Sequence, residues 1–194
     1  MVDNIITLES LDYKKISAYL ITLDRNSPDV DYRRLKSAGV IAVMIEAGYL
    51  YNSMHVEQEY FRNPKLRKQV EDAYRNKVQY ALYITICARN SAELMKELYQ
   101  IKLCIESFAP PLGIWLKLGF NNNKKTNNTL LDICKTYLIK LGLKNKIGLY
   151  VTKSELNKID WNEERYNDWL LWLNKHIDDL SSIEQVLKPE FFMT

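Results

Sequence analysis

Histidine and cysteine are scarce in this chain, and their scarcity excludes much chemistry. Two histidines, His55 and His176, stand far apart, and three cysteines, Cys87, Cys104 and Cys134, fall in apolar surroundings. Neither set has the paired spacing of a zinc site, and an odd number of cysteines makes no closed disulfide framework. The thiols are expected to be reduced core residues, with no metal ion and no cofactor. Glycine and proline are also few, 6 and 5 in 194 residues, which leaves little material for long flexible linkers. No apolar run is followed by a glycine-rich phosphate loop, which argues against a nucleotide-binding enzyme. An excess of one charge is lacking too. The 27 basic and 24 acidic residues leave a net charge of +3 without a basic run, so nothing favours nucleic acid or an acidic membrane as partner. No stretch approaches the ~20 apolar residues of a membrane span. The opening MVDNIITLES lacks the basic-then-apolar order of a secretory signal, so synthesis in the cytoplasm without a standard leader is expected.

What is present is an alternation of apolar runs and amphipathic stretches. Residues 18–24, 40–49, 78–86, 113–120 and 146–152 are short apolar runs rich in strand formers, and 169–173 (WLLWL) reads as a further strand. Between them, 31–38, 63–77, 91–108 and 130–141 have helical character. In the third of these, Leu94, Leu98, Ile101 and Ile105 recur at helical spacing. The polar, low-complexity segment 121–128 (NNNKKTNN) reads as an exposed loop. Strands alternating with helices point to a parallel sheet in one α/β domain. Periodicity leaves open whether that sheet is a closed barrel or an open doubly wound sheet. Residues 1–17 precede the first of these strands as an N-terminal extension, and 18–194 form the domain.

The segment Asp29 to Tyr49 (DVDYRRLKSAGVIAVMIEAGY) resembles the opening of the family 25 glycoside hydrolases, the bacterial cell-wall muramidases. In that family an Asp-x-Asp-Trp stretch leads a helix, and Ala-Gly-Val precedes a strand ending in an Arg-Ala-Gly-Tyr-like turn. Tyr60 to Asn63 resembles the family's Phe-x-x-Asn, and Val78 to Tyr83 its Leu-x-Val-Gly-x-Tyr strand. Ile147 to Thr152 is similar to Gly-Ile-Tyr-Thr, and Leu171 to Leu173 to Leu-Trp-Ile. The matches occur in order over about residues 18 to 175. The resemblance implies a single, TIM-like (β/α)-barrel, irregular in its last strands. Its site would lie at the C-terminal ends of the strands. It also implies a lysozyme-like activity that cleaves the peptidoglycan glycan between N-acetylmuramic acid and N-acetylglucosamine.

Against that pattern the chain departs at the catalytic acids. The family sets an Asp and a Glu two residues apart at the end of its fourth strand, where strand alternation aims both the same way. Here Lys117 and Gly119 occupy those positions. A cation there opposes an oxocarbenium-like transition state, and glycine has no proton to give. The family's first-strand Asp corresponds, without a gap, to Thr22; a two-residue gap would restore it as Asp24. Glu46 stands where the family often has an Arg. The residual acids are therefore Asp24 and Glu46, and an inward Lys117 is expected to pair with one of them, since a buried lone charge is costly. Asp160, Glu163 and Glu164 read as a solvated face or a helix cap.

Tyr49, Tyr83, Trp115 and Tyr150 are candidate sugar-stacking residues, although a barrel core also needs bulky side chains. Three functions follow. The first is a catalytically inactive barrel acting as a structural or assembly component of a bacteriophage tail, baseplate or phage-tail-like particle, with other particle proteins as partners. The second is a non-cleaving peptidoglycan-binding module with an open groove lined by those aromatics. The third is a divergent muramidase using Asp24 and a free Glu46.

Overall fold

A computed structural model describes residues 6–7, 19–38, 40–51, 59–119, 123–144, 146–160 and 169–174. Eight strands form one sheet: β1 (Ile6–Thr7), β2 (Tyr19–Leu23), β3 (Val40–Tyr51), β4 (Glu59–Arg62), β5 (Gln79–Ile86), β6 (Ile114–Leu118), β7 (Ile147–Thr152) and β8 (Trp169–Asn174). The helices are α1 (Tyr32–Ser37), α2 (Leu66–Arg75), α3 (Ser91–Phe108), α4 (Lys124–Lys140) and α5 (Lys153–Leu156). Strands β2, β3, β5, β6, β7 and β8 run parallel in that order. A helix lies in each connection between them, as parallel pairing requires. The expected strands are thus present, and the fold is α/β with a parallel sheet. Two antiparallel additions are not evident from the sequence pattern. Within the N-terminal extension, β1 pairs with β2, and β4 folds back on the end of β3.

Alternation along the strands sorts their side chains into two sets. Ile21, Leu23, Val43, Ile45, Leu82, Ile84, Leu116 and Leu149 pack with Leu94, Leu98 and Ile101 of α3 and Leu131 and Leu138 of α4. The opposite face carries a separate buried cluster of Ala42, Met44, Ala81, Tyr83, Trp115 and Tyr150. Helix starts follow local polar chemistry: Asp31 accepts from the N–H groups of Arg33 and Arg34, and Asn90 from that of Glu93.

The loop expected over 121–128 is corrected for its described residues. Asn123 caps α4 by accepting from Thr126 N–H, and the helix begins at Lys124. Asn127 and Asn128 are buried: their side-chain amides donate to Lys158 O and Asp160 Oδ2, and Asp160 N–H returns a bond to Asn128 Oδ1. Composition suggests solvation for such a polar run because it does not reveal that the amides have partners 31 and 32 residues away. Asp160 also pairs with Lys124 at 3.3 Å; Glu163 and Glu164 lie outside the described residues.

A β-bulge shapes the end of β3. Glu46 is in register with Tyr83, but Gly48 is in register with Ile84, so Ala47 is the inserted residue. The insertion turns Tyr49, otherwise destined for the helix-covered face, onto the opposite face beside Thr85. Gly48 holds φ at 153°, a region that side chains disfavour. Asn63 secures the bulge, its N–H donating to Ala47 O at 3.1 Å and its Nδ2 to Glu46 O at 2.9 Å. Gly48→Ala is expected to lower stability by about 1–3 kcal/mol, read as a reduced urea midpoint at unchanged slope.

Candidate functional site

At the C-terminal ends of the parallel strands, the face away from the helices is built in layers. One holds Glu46, Tyr83, Trp115 and Gly148; the next holds Tyr49, Thr85, Lys117 and Tyr150. The lower layer is a fit of large against small. A Cβ on Gly148 would lie 2.3 Å from the Trp115 ring, so the indole occupies the space that a side chain would fill. Tyr83 and Tyr150 meet at 5.6 Å between centroids with planes tilted by 58°, a favourable aromatic geometry. Tyr83, Trp115 and Tyr150 are only 5–6% exposed. Burial, and after it the negative charge of Glu46, raise the Tyr83 phenol above its usual value, leaving it a neutral hydrogen-bonding group.

The charge centre is a pair that differs from the one expected on sequence grounds. Arg25, just past β2, donates to Glu46 through its backbone N–H (3.2 Å), Nε (3.2 Å) and Nη2 (3.1 Å). The guanidinium also lies 4.4 Å from the centroid of the Tyr49 ring. Hydrogen bonding to Glu46 is the largest influence on Arg25 and raises it further. The side chains are 26% and 11% exposed, so the pair is largely withdrawn from water. A second network fixes its backbone. Gln69 on α2 donates to Asp24 O and accepts from Asn63 Nδ2, so one buried amide pair ties the ends of β2 and β3 together.

The expected pairing of Lys117 with Glu46 or Asp24 is therefore corrected. Arg25 takes Glu46, because the turn after β2 brings its backbone and side chain onto the same carboxylate. Lys117 is half-buried, and its Nζ lies 5.5 Å from the Tyr150 ring centroid, a cation–π distance. Asp24 stands beyond β2 and spends Oδ1 on its own turn, accepting from Asn26 N–H, Ser27 N–H and Ser27 Oγ at 2.7–2.9 Å. Thr22 is half-buried in register with Met44, one layer below Glu46. Gly119 follows β6, and a Cβ there would lie 3.1 Å from Ile86 O and 3.3 Å from Cys87 Sγ. The structure thus gathers Asp24, Glu46, Tyr49, Tyr83, Trp115, Lys117 and Tyr150 at one edge. Among the described residues, Arg25, bound to Glu46, and Lys117 bring positive charge to it. Among the described residues no group of three His, Cys, Asp or Glu side chains is placed to hold a metal ion. Both histidines lie outside those residues.

No family model matches the chain, and no curated protein matches it. Solved structures do. The glycosyl hydrolase 25 GHIP, a virulence factor of Streptococcus pneumoniae, superposes with a TM-score of 0.66 at 16% identity, over 88% of this chain and 74% of that one. The CTP1L endolysin gives 0.61 at 16% identity, over 78% of this chain and 50% of that one. The modular autolysin LytC of the same Streptococcus, solved with a synthetic peptidoglycan ligand, gives 0.59 at 15% identity, over 71% of this chain and 33% of that one. The chain has the lysozyme-like fold of glycoside hydrolase family 25. It spans half the length of the CTP1L endolysin and a third of LytC. At these identities the likeness establishes the fold alone.

Proposed function

We propose that this chain is a muramidase-like barrel that does not cleave glycan and serves as a structural or assembly component, as in a bacteriophage tail or phage-tail-like particle. The observation that carries the reading is the state of the acids. Most glycosidases, retaining and inverting, use two carboxyl groups facing the scissile bond. Here one of the two residual acids, Glu46, is held by three N–H donors of Arg25. The family's Asp-x-Glu positions are Lys117 and Gly119, and Lys117 is a cation where positive charge develops in the reaction. The divergent-hydrolase reading needs a free Glu46, and the pair with Arg25 counts against it.

A further observation favours a scaffold over a sugar groove. Tyr83 and Tyr150 lie against each other, Lys117 stands over the Tyr150 ring and Trp115 rests on Gly148, so three of the four candidate stacking residues act as filling. Under either non-cleaving reading, Ala42 and Met44 are fully buried on the sheet face opposite the α3 and α4 core, which fits a sheet curled upon itself into a barrel, as in the family. A phage setting draws on one neighbour, the catalytic domain of the endolysin ply40 from bacteriophage P40 of Listeria monocytogenes, at a TM-score of 0.52 and 18% identity; the place in a particle is the proposal's own step.

The test is digestion of purified peptidoglycan by the full chain, with products resolved by mass spectrometry and Asp24→Asn as control. No release of reducing muropeptides is expected from walls of several types across the acidic and neutral range. Release that disappears in Asp24→Asn would make the chain a divergent muramidase. Sedimentation with intact walls in the same tubes separates the two non-cleaving readings. A scaffold stays in the supernatant, and a glycan-binding module pellets.

A further inference from the structure

Helix α3 carries a carboxyl group that the site does not use. Glu97 faces inward with Leu94, Leu98 and Ile101 and is 3% exposed. Its Oε1 accepts the Cys87 N–H at 2.9 Å. Oε2 is buried and has no hydrogen-bond partner among the described residues. The titratable groups that face it are Cys87 from the connection after β5, Cys134 from α4, and Glu93 one turn back on α3. Glu93 is itself paired with Arg89, and no cation forms an ion pair with Glu97 among the described residues. Between the strand ends and α4 lies a water-sized cavity lined by Ile86, Ala88, Leu118, Gly119, Asn127 and Cys134, among others.

We propose that Glu97 is a proton-operated latch: protonated, it closes the seam between α3, α4 and the end of β5; deprotonated, it draws water to Oε2 and loosens α4 from α3. A neutral carboxyl tolerates apolar surroundings with one oxygen satisfied. A carboxylate with its second oxygen dry does not. Space for a water lies in the cavity lined by Ala88, next to the Glu97-bonded Cys87, and by Cys134 and Asn127. Burial pushes the Glu97 carboxyl up to about 7, so the change falls near neutrality. Cys87, raised to about 11, and Cys134, raised further by burial, keep their protons there. Because the folded-state value lies above the ordinary 4.5, the native state binds the extra proton between these values. Stability is then full below the lower value and declines as pH rises through the upper one. The latch reaches the site through the backbone. Cys87 and Ala88 follow β5, and Gly119 N–H donates to Ile86 O at 2.7 Å, two residues beyond Lys117. None of this requires the non-cleaving reading.

The test is a carbon-detected NMR titration of the Glu97 side chain in the full chain, with hydrogen exchange of the Leu131 and Cys134 amides followed over the same pH range. The expected result is a Glu97 midpoint near neutrality. Protection of the α4 amides, corrected for intrinsic exchange, should fall with the same midpoint and become flat with pH in Glu97→Gln. A Glu97 that titrates with the exposed carboxylates overturns the proposal, and this arm needs no variant. Protection that falls identically in wild type and Glu97→Gln overturns it as well.

Discussion

Arg25→Ala destabilises the protein by about 2–3 kcal/mol, less than the ~3–5 kcal/mol for breaking a fully buried pair because Arg25 retains some solvent contact. The loss has little to do with the attraction between the two charges. It arises because Glu46, 8% exposed, loses two of the three N–H bonds that replaced its hydration; only the backbone N–H of residue 25 survives the substitution. The double variant Arg25→Met, Glu46→Met is therefore expected to recover most of the loss, since removing both charges removes the desolvation cost together with the bond. Urea denaturation of the wild type, both single variants and the double variant closes the cycle. A double variant as unstable as the sum of the singles would show that the two residues act independently.

Trp115→Ala is expected to cost about 3–5 kcal/mol as a large-to-small change in a buried layer. Its partner experiment is more telling. Gly148→Ala in the wild type places a methyl group where the indole lies, 2.3 Å from the ring, and should cost about 1–3 kcal/mol by overpacking. In the Trp115→Ala background the same methyl group enters vacated space, and the substitution becomes neutral or stabilising. Thermal unfolding of the four proteins reads out this coupling. A Gly148→Ala cost that persists without the indole would mean that the glycine serves the backbone of β7 instead of making room for Trp115.

Strand alternation alone makes the direction of Lys117 legible in the sequence. Ile114, Leu116 and Leu118 form one apolar face and join the helix-covered core, so Lys117 must point to the other side. The partner of Glu46 is not legible in the same way. Arg25 sits in a segment with only the marks of a turn, RNSPD, and its carboxylate lies 21 residues away. One signal is available. Where the family often carries an arginine this chain has Glu46, and an arginine appears on the neighbouring strand end. Tyr49 is a candidate on its match to the family's turn, but strict alternation from Glu46 puts it on the wrong face. Only the bulge at Ala47, allowed by Gly48 and satisfied by Asn63, turns it to the site.

The sequence by itself determined the order of the six parallel strands and of the main helices between them, the inward lysine and the absence of an Asp-x-Glu pair at the end of β6. These are properties of periodicity and of residue identity, which act over a few positions along the chain. The tertiary structure alone decided that Arg25 takes Glu46, that Asn127 and Asn128 are buried, that Trp115 rests on a glycine, and that Glu97 is enclosed with one oxygen unsatisfied. Each of those depends on which distant groups share a small volume once water has been excluded. The energy of a charge or an amide is set by such neighbours and not by its place in the sequence.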